Sequence, residues 1–185
     1  PFREKRRSGE EGSVKTPGRS CWVSCGKTER PHADPLRSPY GAAGLRAAVI
    51  VAHPDDETLW AGGVILTHRD CSWYVASLCR GGDPDRSPRF LRALQDLGAA
   101  GRMANLDDGP LQRPLTAALI ERTILDLLPQ PQFDLILTHG PKGEYTHHLR
   151  HEETSRAVVA LWKAGKVCCD CLWLFAYEDG AGQYL

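Results

Sequence analysis

The sequence predicts an α/β fold of Rossmann-like type: a mostly parallel sheet with helices on both faces, truncated at its C-terminal end. Three observations support this. Short apolar runs at residues 48–51, 72–79 and 133–138 have the length and composition of buried strands. Amphipathic stretches of helical period lie between them. The connections are short, as parallel strands joined by crossover helices require.

Taken in order, residues 1–44 are rich in Arg, Gly, Ser and Pro without apolar periodicity. They read as a disordered or non-native leader, and a single domain, 45–185, follows. The first strand runs directly into Ala52-His53-Pro54-Asp55-Asp56-Glu57. Residues 58–69 read as a helix carrying Leu59, Trp60, Ile65 and Leu66. The second strand, SWYVASLC, leads through a loop from Arg80 to a helix opened by Pro88. There Phe90, Leu91, Leu94 and Leu97 are expected on one face, with Gly98 as the stop. Residues 101–114 show no pattern. Thr116 is expected to cap a helix to Leu128, with Ile120, Ile124, Leu127 and Leu128 inward. The third strand, FDLILT, precedes a polar loop, a helix from about Glu152 to Ala164 and a last apolar run at 172–177.

At 185 residues the chain supports one core. Its 23 Lys and Arg balance 23 Asp and Glu, giving no reason to expect nucleic acid or an anionic membrane as partner. The leader is nevertheless basic, with nine Lys and Arg against five Asp and Glu. No apolar stretch of about 18 residues is present, so an ordinary membrane-spanning helix is excluded. Seven cysteines without repeated spacing, and no apolar secretory leader, favour reduced thiols in a cytoplasmic protein. Cys21, Cys25 and His32 are a thin basis for a zinc knuckle. Cys168, Cys169 and Cys171 read as small apolar filler beside a strand. The first strand is not followed by Gly-x-Gly-x-x-Gly, so a nucleotide cofactor is not expected.

His53, Asp55, Asp56 and Glu57 sit at the carboxyl end of the first strand, where open α/β sheets bind ligands. Burying four ionisable groups is costly unless they are paired, hydrated or bound to a cation. The plainer alternative is that the acidic trio caps the next helix. A second polar cluster follows the third strand, from His139 through Glu144, Tyr145, His147 and His148 to His151. His148 and His151 are spaced i, i+3, and His147 and His151 i, i+4, so either pair shares a helix face. Both clusters belong at the same sheet edge. Together they supply two imidazoles, a carboxylate and an open position, the needs of a catalytic metal, with a spare carboxylate as base.

Ala52-His53-Pro54-Asp55-Asp56-Glu57, followed about ninety residues later by His148-x-x-His151, resembles the N-acetylglucosaminylphosphatidylinositol deacetylase (PIG-L/LmbE-like) family, zinc-dependent deacetylases of N-acetylglucosamine-bearing substrates. The resemblance covers the chain from about Arg46 to Tyr177. It implies one Zn²⁺ per chain, with His53, Asp56 and His151 as ligands. It further implies Asp55 as general base, protonated His148 as stabiliser of the intermediate, and Arg80 as a substrate contact. Apart from the resemblance, Tyr145 is a candidate substrate contact or a loop residue packing on the sheet edge, and Glu57 is expected behind the ligands or at the helix N-terminus rather than on the metal. The partner is then an N-acetylated sugar or sugar conjugate. The pattern departs from the family at Leu149-Arg150, where members commonly carry Pro-Asp, and members continue past the position of Leu185.

Two histidines and a carboxylate also make the facial triad of non-haem iron(II) enzymes. A two-metal phosphoesterase would need more acidic ligands, and an inactive metal-binding module is the remaining alternative. Because residues 1–44 lack apolar periodicity, deleting them is expected to leave melting temperature and zinc content unchanged. A drop of several degrees, the effect of about 1–2 kcal/mol, would overturn the leader assignment.

Overall fold

Five parallel strands form one sheet in the order β3-β2-β1-β4-β5, in a computed structural model that describes residues 44–145 and 147–177. The strands are β1 (Arg46–Val51), β2 (Ser72–Cys79), β3 (Ala100–Leu106), β4 (Gln132–Thr138) and β5 (Cys168–Leu174). The helices are α1 (Gly62–Thr67), entered through a π-helical turn at Glu57–Ala61, then α2 (Arg86–Leu97), α3 (Ala117–Leu127) and α4 (Leu149–Lys163). The leader and the Cys21, Cys25, His32 group lie outside the described residues.

Side chains alternate across β1, and that alternation builds two cores. Ala48 and Ile50 face α3 and α4 through Ile120, Ile124, Leu127, Val158 and Leu161. Ala47, Val49 and Val51 face α1 and α2 through Ile65, Phe90, Leu94 and Leu97. With both faces covered, β1 reads as an uninterrupted apolar run. The chain moves outward from β1 to β3, then crosses back to place β4 on the other side of β1. The resulting switch point between β1 and β4 is where a doubly wound sheet opens a crevice for ligands.

The structure corrects several local expectations. Residues 100–106 form β3, a strand without a sequence signature: AGRMANL contains no β-branched or aromatic residue and lies at the sheet edge, half exposed. Leu91 is 53% exposed, because only positions 90, 94 and 97 follow the i, i+4, i+7 stripe. β5 begins at Cys168 rather than near 172, so the three cysteines lie within the strand. The last helix begins at Leu149, three residues early, which makes His148 its N-cap and puts His151 in its first turn. Thr116 caps α3 as expected, its hydroxyl accepting from the Leu119 amide.

Gly101 permits β3 to pair. A Cβ there would stand 2.4 Å from the Val75 carbonyl oxygen and 2.7 Å from Leu94 Cδ1. Gly101→Ala is therefore expected to lower stability by about 1–3 kcal/mol, read as an earlier urea midpoint. An unchanged midpoint would show that β3 can move aside freely.

Candidate metal centre

β1 and β4 lie side by side and deliver both polar clusters to one point. Beyond β1 the chain turns through His53 to Asp56, and the His53 amide donates to Asp56 Oδ2 at 2.9 Å. Beyond β4 come His139 and a short loop to Glu144, and then the first turn of α4 brings in His148 and His151. His53 and His151 thus meet across 98 residues of sequence.

Three donor atoms converge. His53 Nδ1 is 3.2 Å from Asp56 Oδ2 and 3.2 Å from His151 Nε2, and the last two are 3.4 Å apart. A tetrahedral ion with bonds of about 2.0–2.1 Å separates its ligands by about 3.3–3.4 Å, so this triangle has the required edge. The far side of each ring is held by a carboxylate, with His53 Nε2 3.2 Å from Asp108 Oδ1 and His151 Nδ1 2.6 Å from Glu144 Oε2. Carboxylates only accept, so each far nitrogen carries a proton and each near nitrogen is left to face Asp56. Two lone pairs and a carboxylate aimed at one point repel unless a cation lies between them, whether a proton or a metal ion.

The electrostatics agree. Burial opposes charge on Asp56, but the His139, His151 and His53 side chains gathered around it outweigh that cost and hold the carboxyl far below the usual carboxylate range. Burial likewise opposes charge on His151, yet Asp56 and Glu144 raise its pKa to about 9. Glu144 is held down to about 2, its burial outweighed by His139 and His151. His148 shifts the other way: burial, then His53 and His151, lower its pKa. The expected protonated form is thus disfavoured near pH 7. The ring lies 4.7 Å from that of His53 and 4.6 Å from that of His151, centroid to centroid, and its Nδ1 has no partner among the described residues.

His139 offers a second convergence with Asp56 and His151. Its Nε2, however, accepts the Ala52 amide at 3.0 Å, while Nδ1 faces Glu144 Oε1 at 2.9 Å. With both nitrogens engaged, His139 serves as a buttress stacked on His151. His147 points outward to Glu152. Of the other sequence candidates, Asp55 lies at the rim, its side chain 63% exposed and paired with Arg86 at 2.9 Å. Glu57 is buried, bonded through Oε1 by the Thr58 hydroxyl, and burial raises its pKa. Arg80 adopts a left-handed backbone (φ 63°) and grips Asp108 at 2.8 Å. The two line a cleft of about 370 Å³ with Asn105, Leu106, Asp107 and Gly109. Tyr145 is 64% exposed and forms an aromatic group with Trp60, Phe175 and Tyr177.

Asp108, His139 and Glu144 were not identified from sequence as site residues. Two of them carry a signal, since Asp107-Asp108-Gly109 follows the end of β3 much as Asp55-Asp56 follows β1, and His139 directly follows β4, whereas Glu144 carries none.

The fold and this constellation define a doubly wound α/β protein with a two-histidine, one-carboxylate centre at its switch point. The family model for GlcNAc-PI de-N-acetylase, PIG-L, matches residues 48–162, well over half of the chain, and the chain belongs to that family. No curated protein sequence matches it. Among solved structures it is similar to a zinc-inhibited form of teicoplanin deacetylase Orf2, at 16% identity and TM-score 0.50 over 67% of this chain and 65% of that one. It is also similar to N,N'-diacetylchitobiose deacetylase from Pyrococcus horikoshii, at 18% identity and TM-score 0.49 over 62% and 48%. A 4-carboxy-2-hydroxymuconate hydratase from Pseudomonas putida KT2440 matches at 20% identity and TM-score 0.47 over 63% and 55%. At 16% identity the likeness to the teicoplanin deacetylase is one of fold, and the chain spans about half to two thirds of these proteins.

Glu144 holds both His139 and His151. Glu144→Gln keeps the shape and removes the charge, so zinc affinity by chelator competition is expected to fall about 10–100-fold. Unchanged affinity would show that the triangle stands without this support.

Proposed function

We propose that this chain is a metal-dependent N-deacetylase acting on an N-acetylated sugar or sugar conjugate, with zinc held by His53, Asp56 and His151. The observation that carries the proposal is the triangle of His53 Nδ1, Asp56 Oδ2 and His151 Nε2, with each imidazole oriented from behind by a carboxylate. Family membership supports the reaction class. Zinc bound there would supply a water acidified toward neutrality and a Lewis acid for the acyl carbonyl.

The chain's own residues would do the rest. Asp55 is adjacent to a ligand yet outside the triangle, and turning from Arg86 frees it to accept the proton of the attacking water. His148, largely neutral near pH 7, presents a ring N–H to the oxyanion that develops on the acyl carbon. The departing amine takes up a proton, and acetate is released. A sugar suits the surroundings. The Arg80 and Asp108 cleft offers charged partners for hydroxyl groups, and the Trp60, Tyr145, Phe175 and Tyr177 rings offer faces for a pyranose. No helix among the described residues is long and apolar enough to cross a membrane. Together with the buried thiols Cys71 and Cys79, this favours a cytoplasmic site of action.

The donor set also fits non-haem iron(II), which metal analysis of anaerobically purified protein distinguishes. The adjacent aspartates give the sharper test. Asp55→Asn should retain zinc while acetate release falls roughly 10²–10⁴-fold. Asp56→Asn should lose zinc affinity, with activity partly restored by added zinc. Zinc is titrated from one equivalent upward to well above it, with the parent alongside as control for inhibition by excess zinc. If Asp55→Asn loses the metal and Asp56→Asn keeps it, the roles are exchanged. Full activity in both would end the enzyme reading.

A further inference from the structure

We infer that the buried Arg150–Glu153 pair on α4 is a positioning device for the metal centre, acting through the loop that carries Asp108. Arg150 is 2% exposed, yet none of its guanidinium contacts is to a centre residue. Its Nε donates to the Asp107 carbonyl at 2.6 Å and its Nη2 to the Arg113 carbonyl at 2.7 Å, while Nη1 pairs with Glu153. Glu153 Oε1 in turn accepts the Leu115 amide at 2.9 Å. One side-chain pair on the first turns of α4 therefore grips residues 107–115 at both ends.

Apart from this clamp, the segment is held at Asp108 by Arg80, whose Nη2 also donates to the Asp108 carbonyl at 3.2 Å, and by Leu115 packed on the core. It lies between β3 and α3, contains Pro110 and Pro114, leaves Leu111 mostly exposed and places Gln112 in the left-handed region (φ 43°). Within it, Asp108 is bonded by Gln112 Nε2 at 2.9 Å and by Arg80, and it faces His53 Nε2 at 3.2 Å. The physical path is continuous: α4 fixes the loop, the loop fixes Asp108, and Asp108 fixes the tautomer and tilt of His53. Because α4 also carries His151, the clamp sets two of the three donors from one helix.

Stability alone is a poor account of the pair. A buried Arg–Glu pair is often no more stabilising than apolar residues of the same volume, whereas its fixed fork geometry confers register. Carboxylates behind ligating histidines typically change metal affinity 10–100-fold when removed. Loosening Asp108 should reproduce part of that loss.

The inference rests on the metal-centre reading above, and zinc itself is the probe. Two clamp variants are made in the full chain, Arg150→Met/Glu153→Gln and Arg150→Lys. The first removes both charges and leaves an amide for Leu115. The second keeps the charge against Glu153 but loses the fork that spans two carbonyls. Folding is followed by circular dichroism and melting temperature, zinc affinity by chelator competition, and site geometry by the visible spectrum of the cobalt(II) form.

The folded variants should bind zinc at least tenfold more weakly and show an altered cobalt spectrum. Asp108→Asn should weaken zinc comparably. Combining it with a clamp variant should add little, because both act through one contact. If either clamp variant folds with parental affinity and spectrum, or if the two losses multiply, the inference is overturned. A parent that binds zinc but releases no acetate from N-acetyl sugars defeats the deacetylase proposal and leaves the clamp standing. A parent without zinc affinity defeats both.

Discussion

The centre depends on one electrostatic arrangement: two imidazole lone pairs and one carboxylate oxygen aimed at a common point. Left alone this arrangement repels itself. It persists because each ring is oriented from behind, His53 by Asp108 and His151 by Glu144, and because the protein places those carboxylates on separate loops. His139 completes the frame, tying Glu144 to the backbone of Ala52 at the end of β1. The proposed metal site is therefore a property of five or six side chains rather than of three.

The fold makes that arrangement reachable. A doubly wound sheet reverses its strand order at one place, and there two strand ends lie adjacent and open a crevice. β1 and β4 occupy that place and carry the two polar clusters. Their burial by α1 and α2 on one face and α3 and α4 on the other gives the loops a rigid base. Rigid strands set the position of the short polar loops that carry the candidate site.

Legibility in the sequence followed the strength of the physical signal. β1, β2 and β4 are buried on both faces and announce themselves as apolar runs, and the amphipathic stripes of α2 and α3 are equally plain. His53, Asp56, His148 and His151 stood out because ionisable groups at strand ends need a reason to be there. β3 was silent, since an edge strand paired through glycine and alanine has no apolar pattern to read. Asp108 went unseen with it, because its meaning comes entirely from where β3 places it. Glu144 and Arg150 were read as members of a polar loop and of a departure from the family pattern. Only their distances to His151 and to the Asp107 and Arg113 carbonyls give them roles. Side-chain to side-chain relations across loops leave no periodicity in a chain.

The central claim is that two imidazoles and one carboxylate from this chain bind one metal ion. Zinc K-edge X-ray absorption of the purified protein loaded with one equivalent of zinc addresses it directly. Nitrogen and oxygen scatterers at about 2.0–2.1 Å are expected, with outer-shell features of two imidazoles. A sulfur shell at about 2.3 Å, placing zinc on the cysteines, or the absence of imidazole scattering, would contradict it.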